Sequence, residues 1–128
     1  MASSAGEPLG PAGEKAAARF LKRRGCRILR RNCRAKYGEV DLIVRDGEAV
    51  VFVEVKTRRS RTWGDPQDAV NPVKQRKLCL TAAAFAEKHG LQHRPLRFDV
   101  VTVVLGEEGP PEIEHFRDAF PLPPGIGI

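Results

Sequence analysis

Apolar and polar positions along the chain change period several times, and each change marks an element. From Gly13 to Arg24 (GEKAAARFLKRR), Ala17, Phe20 and Leu21 recur at helical spacing, giving a helix with one apolar face, and Gly25 stands where it would end. A short strand is expected over Cys26 to Asn32. Alternation of period two then takes over. Glu39 to Arg45 (EVDLIVR) and Ala49 to Thr57 (AVVFVEVKT) read as strands joined through Asp46-Gly47, a dipeptide that favours a two-residue hairpin turn. After a polar, arginine-rich stretch from Arg58 to Asp68, Asn71 and Pro72 supply the cap and opening of a second helix. It reaches about Lys88, carries Leu78, Thr81, Ala82 and Phe85 on one face, and ends at His89-Gly90. Arg97 to Leu105 (RFDVVTVVL) forms a further strand and Glu112 to Phe116 a last, weak one.

The predicted order is α-β-β-β-α-β-β, an α/β fold in which helices flank a mixed sheet. A chain of 128 residues holds one core, because a second could not bury enough apolar surface to offset its chain entropy. That core is expected within residues 12–120. Residues 1–11 and 121–128, rich in Pro, Gly and small side chains, carry no hydrophobic period and are expected to be flexible tails.

Composition alters this picture in one respect. The 22 Lys and Arg residues exceed the 16 Asp and Glu, a net charge of +6, and a basic domain favours polyanionic partners. Lys15, Arg19, Lys22 and Arg23 form a stripe on the polar face of the first helix that fits a phosphate backbone, although a charged helix face also serves as a solvated one. No apolar run approaches the ~18 residues of a spanning helix, the N-terminus lacks a secretory pattern, and neither helix has the broad apolar face of a membrane-surface helix. A cytoplasmic protein without membrane attachment is expected. Cys26, Cys33 and Cys79 lack metal-site spacing and read as reduced thiols, and His89, His93 and His115 share no spacing and receive no role.

The candidate chemistry lies in acidic residues set among strand hydrophobics. If Asp46-Gly47 is the turn, Asp41 faces Phe52 and Glu39 faces Glu54. The period of two then places Glu39, Asp41, Glu54 and Lys56 on one face, with Asp41 and Glu54 diagonal neighbours. Like charges so close call for a cation between them. Two carboxylates supply the hard oxygen ligands that hold Mg²⁺, with Mn²⁺ as a substitute, and such an ion polarises a phosphate and acidifies a bound water. Lys56 would position or deprotonate that water, or stabilise charge developing on the phosphate. Glu14, one turn before Ala17, Ala18 and Leu21, points along the buried face of the first helix and would complete the metal shell from there. Each of these residues, taken alone, also fits a plain surface ion pair, and Glu39 is read that way. Asp99, between Phe98 and Val100, is read as a partner of Arg97 or another basic group.

Together, an acid and, thirteen positions later, Glu-x-Lys across a hairpin follow the pattern written PD-(D/E)xK, shared by restriction endonucleases and archaeal Holliday-junction resolvases. More specifically, Gly13-Glu14, Arg31-Asn32, the run from Gly38 to Ile43, the run from Val51 to Arg58, Lys74 and the run from Arg97 to Val101 resemble the YraN-like family of that superfamily over about residues 13–120. Val40 stands where the written motif has Pro. The resemblance implies a restriction-endonuclease-like sheet, with Asp41, Glu54 and Lys56 at catalytic positions and Glu14 at the helix-one acid of the resolvase branch. It implies a metal-dependent endonuclease acting on DNA, in particular branched or junction DNA, working as a homodimer in the manner of the resolvases. A non-catalytic nucleic-acid-binding module with the same fold is the alternative, and RNA stands behind DNA as the partner. Expected nucleic-acid contacts are Lys15, Arg19, Lys22, Arg58, Arg61, Lys74 and Lys77. Trp63, in the same loop as Arg61, either stacks on an unpaired base or anchors the loop on the core.

Overall fold

The structure, a computed structural model, describes residues 9–59 and 71–121. Its elements are α1 (Leu9–Arg23), β1 (Arg27–Ala35), β2 (Gly38–Asp46), β3 (Ala49–Arg58), α2 (Pro72–Lys88), β4 (Leu96–Val104) and β5 (Glu112–Phe116). The order agrees with the sequence reading. Expected tail residues up to Pro11 do not all lie outside the fold, because the first helix opens at Leu9 and carries Pro11 in its first turn, where the missing N–H has no helical partner to lose. At the other end Gly25, at φ +93°, closes α1: the Cys26 N–H reaches Leu21 O and the Gly25 N–H reaches Lys22 O. Asn71 caps α2, its side-chain oxygen accepting the Lys74 N–H at 2.9 Å, with Pro72 behind it.

The five strands lie in sequence order. All neighbours pair antiparallel except β3 and β4, which run parallel because α2 carries the chain back between them. Each helix covers one face. Ala17, Ala18 and Leu21 of α1 pack on Leu42, Val44, Val51, Val53, Val101 and Val103. Leu78, Ala82 and Phe85 of α2 pack on Ile43, Val50, Phe52, Phe98 and Val100, with Phe120 closing that side. The central strand β3 is buried from Val50 to Glu54, as expected of a strand covered on both faces.

The hairpin register differs from the expected one. Asp46 pairs with Ala49, so the two-residue loop is Gly47-Glu48 with Gly47 at φ +61°, and Ile43 rather than Asp41 opposes Phe52. A glycine in the first loop position takes the positive φ that hairpin turns require there, and this outweighs the Asp-Gly signal. The shift is two residues, so faces are kept and only neighbours change.

Helix α1 sits close to the end of β3. A Cβ added at Gly13 would fall 2.7 Å from Thr57 Cβ, and closer still to its hydroxyl. Gly13→Ala is expected to destabilise the fold by about 1–3 kcal/mol through overpacking, despite alanine's better helix propensity. Urea denaturation would read this, and an unchanged or higher midpoint would show that α1 can shift cheaply.

Candidate active site

Beyond Leu42 and Val53 the sheet forks. Pairing of β2 with β3 stops there, β2 continues to Gly38 against β1, and β3 continues to Arg58 against β4. Asp41 and Glu54 are the next residues on the two arms. With its ladder partner lost, the Val55 N–H is taken by the Asp41 carboxylate at 2.8 Å.

Alternation also breaks at the fork. Leu42 and Val44 face α1 and Ile43 faces α2, but Val40 faces α2 as well, so the strand turns over at Asp41. On β1 the matching irregularity is Asn32, at φ +50°, between Arg31, opposite Leu42, and Cys33, opposite Val40. Asn tolerates this left-handed conformation better than most residues. The turnover lets groups from both helix layers reach one spot. The Glu14 carboxyl of α1 interacts with Asn32 and with Asp41. From α2, the Lys74 ammonium donates to Glu54 Oε2. A cleft lined by Gly38, Glu39, Asp41, Glu54, Asn71, Val73, Lys74 and Lys77 opens this spot to solvent.

The electrostatics follow from the geometry. Burial pushes the Glu54 carboxyl above its ordinary range and the Asp41 charge pushes it further, with Lys74 pulling back. Burial likewise raises Asp41, against the Val55 N–H and Lys74. Glu14 is raised by burial and by the charges of Asp41 and Glu39, against its bond to Asn32. Three acids are thus held where ionising all of them is costly.

Asp41 and Glu54 are brought together as expected, and Glu14 reaches Asp41. Among the described residues, however, no three acidic, His or Cys side chains close into a ready-made metal cluster. Lys56 follows Glu54 by two positions on β3 and is half-buried, opposite Thr102. Glu39 pairs with Arg34 at 2.8 Å on the surface, in keeping with the plain reading. Lys77 lines the carboxylate cleft, while Lys74, expected as a free phosphate ligand, is committed to Glu54. No spacing rule connects a helix N-terminus to a strand twenty residues earlier, which is why this ion pair escaped the sequence reading.

Lys15, Arg19 and Lys22 line a second cleft with Glu14, Arg31 and Asn32, and an adjoining one carries Lys22, Arg27, Arg30 and Arg31. The arginines of edge strand β1 were not among the expected contacts, yet they form the facing wall of the same groove. Glu14 also lines it. Arg58 lines neither cleft, and Arg61 and Trp63 lie outside the described residues.

Asp99 belongs to a separate, structural network on the α1 face. Its carboxylate accepts from Arg97 Nε at 2.9 Å and from the Asp118 N–H at 2.9 Å, and His115 Nε2 stands 2.7 Å away. Arg97 also bonds Asp46. His115, given no role from sequence, is therefore a buried partner. The three cysteines are free thiols, with Cys79 pushed up to about 11 by burial, and no described helix is long and apolar enough to cross a membrane.

The sequence profile of the uncharacterised protein family UPF0102 matches residues 13–103. A UPF0102 protein of Geotalea uraniireducens (strain Rf4) is 49% identical over 114 residues, 89% of this chain and 90% of that protein. One from Rhodococcus jostii (strain RHA1) is 48% identical over 112 residues, 88% and 95% of the two chains. One from Anaeromyxobacter dehalogenans (strain 2CP-C) is 48% identical over 114 residues, 89% and 84%.

Proposed function

For a chain that belongs to the UPF0102 family, whose name states no activity, we propose metal-dependent hydrolysis of phosphodiester bonds in DNA, on a PD-(D/E)xK-type site. The observation that carries it is the meeting of Asp41 and Glu54 at the fork of β2 and β3, in a basic protein and open to solvent. Two carboxylates suit Mg²⁺, which takes one or two from protein and completes its octahedron with water and substrate phosphate, so a closed three-acid cage is not required. Bound there, the ion would polarise the scissile phosphate and acidify an attacking water.

The protein's own groups do the rest. The Val55 N–H fixes the Asp41 carboxylate, leaving its other oxygen for the ion. Glu14 adds a third acid beside Asp41. Lys56, from the same strand as Glu54, is the group to orient the nucleophile or to stabilise the phosphate's developing charge. The groove between α1 and β1 supplies sequence-independent phosphate contacts beside Glu14.

The test is cleavage of end-labelled duplex, flap and four-way-junction DNA, with an RNA duplex for comparison, in Mg²⁺, Mn²⁺ or EDTA. Metal-dependent cutting is expected, strongest on branched DNA. Absence of cutting on all substrates, with binding retained, would leave the second reading, a binding module without turnover. That reading draws on the Lys74–Glu54 pair, which neutralises Glu54 without any metal. Either way, Arg19→Ala with Arg31→Ala should flatten the dependence of log K on log salt by about 1.8, since each lost phosphate contact removes roughly 0.9. An unchanged slope in fluorescence anisotropy titrations would place the nucleic acid elsewhere.

A further inference from the structure

We propose that Lys74 is an exchangeable counter-ion, which neutralises Glu54 in the metal-free protein and moves to the substrate phosphate when a divalent cation takes its place. This rests on the metal-dependent reading of the site. Lys74 is well built for the exchange. The cap bond from its N–H to Asn71 and the start of α2 hold its backbone. Its side chain is 43% exposed, while that of Glu54 is 9% exposed. The carboxylate is therefore fixed and the ammonium can swing outward by side-chain rotation alone.

The chemistry requires a choice at Glu54. The oxygen that accepts the Lys74 ammonium offers the same lone pairs a hard cation would use, and a lysine beside a bound dication would be repelled by it. A displaced Lys74 also stands at a helix N-terminus, where the dipole already disfavours a cation that lacks an anionic partner. Of the other carboxylates in the cleft, Asp41 would be engaged by the same dication and Glu39 is paired with Arg34, so the partner left for Lys74 is a phosphate entering the cleft, whose wall it shares with Lys77. Metal and phosphate then assist each other. Phosphate removes Lys74 from competition for Glu54, and metal releases Lys74 to bind phosphate, a reciprocal coupling by linkage.

Mn²⁺ affinity, measured by titration calorimetry and by electron paramagnetic resonance of free Mn²⁺ in the absence of nucleic acid, tests the exchange. Lys74→Met is expected to bind Mn²⁺ roughly tenfold more tightly than wild type, within the usual range of coupling between sites, while its DNA cleavage falls. Lys74→Arg, which keeps the charge and holds a carboxylate with two donors, is expected to bind Mn²⁺ more weakly than wild type. Because it preserves the ion pair, it keeps the proposal testable should the Met variant fold poorly. Glu54→Gln serves as the reference for loss of the site. Glu54-dependent Mn²⁺ binding that Lys74→Met leaves equal or weakens would overturn the exchange and spare the nuclease reading. No Mn²⁺ binding by any form would overturn both.

Discussion

Asp41→Asn should lower the rate of DNA cleavage by roughly 10³-fold or more while raising the melting temperature of the metal-free protein. The two effects have one origin. Asp41 is an anion placed beside Glu54 and Glu14 in a partly buried fork, and burial, ahead of any neighbour, raises its pKa. An acid whose folded pKa lies above its unfolded value opposes folding once pH exceeds the unfolded pKa, and ceases to do so as pH falls below it. Asp41 and Glu54 therefore work against stability at neutral pH, and their neutralisation is stabilising. Asparagine removes the charge and keeps an oxygen to accept the Val55 N–H, so the fork should hold its shape. On the proposed reading, the same change removes a hard anionic ligand, and with it the means of placing a metal against the phosphate. Cleavage assays beside thermal melts, at pH 5 and pH 7, separate the outcomes. The gain in melting temperature should be larger at pH 7. A variant that melts higher but cuts like wild type would remove Asp41 from the chemistry. One that loses activity and melts lower would make it a structural residue.

Much of this site was readable from the chain because the two signals that locate it are local. Alternation placed Asp41 and Glu54 on strands, and a short turn brought those strands together. A two-residue error in the turn did no harm to the faces, since the side-chain period is also two. The turnover at Asp41 was not legible, because its counterpart is the left-handed Asn32 of the neighbouring strand, whose pairing is a tertiary fact. The same holds for Lys74 and for the β1 arginines. Their sequence neighbours advertise a helix start and an edge strand, while their partners lie across the fold. What the sequence carried well was one hairpin, and what it carried poorly was the assembly of groups from both helix layers around it.

Asp99 shows the opposite use of a buried acid, and Asp99→Asn is expected to cost about 3–5 kcal/mol. Burial alone would raise its pKa, but His115, Arg97 and the Asp118 N–H outweigh that and hold it below the ordinary carboxylate value. Its side chain is 1% exposed, so the carboxylate takes its compensation from these partners rather than from water. Neutralising it leaves the Arg97 guanidinium with Asp46 alone, and places the new amide nitrogen or oxygen against donors it cannot all satisfy. The same network predicts an acid limb. A depressed folded pKa contributes stability that is complete above the unfolded pKa, near 4, and is lost as pH falls through the folded value. Below neutrality the two acid sites therefore oppose each other. Protonation of Asp41 and Glu54 first adds stability, and protonation of Asp99 later removes it. Urea titrations from pH 7 to pH 3 should rise and then fall for wild type, with the late fall diminished in Asp99→Asn. A variant as stable as wild type at pH 7 would mean that Arg97 is held by Asp46 and the sheet without help from Asp99.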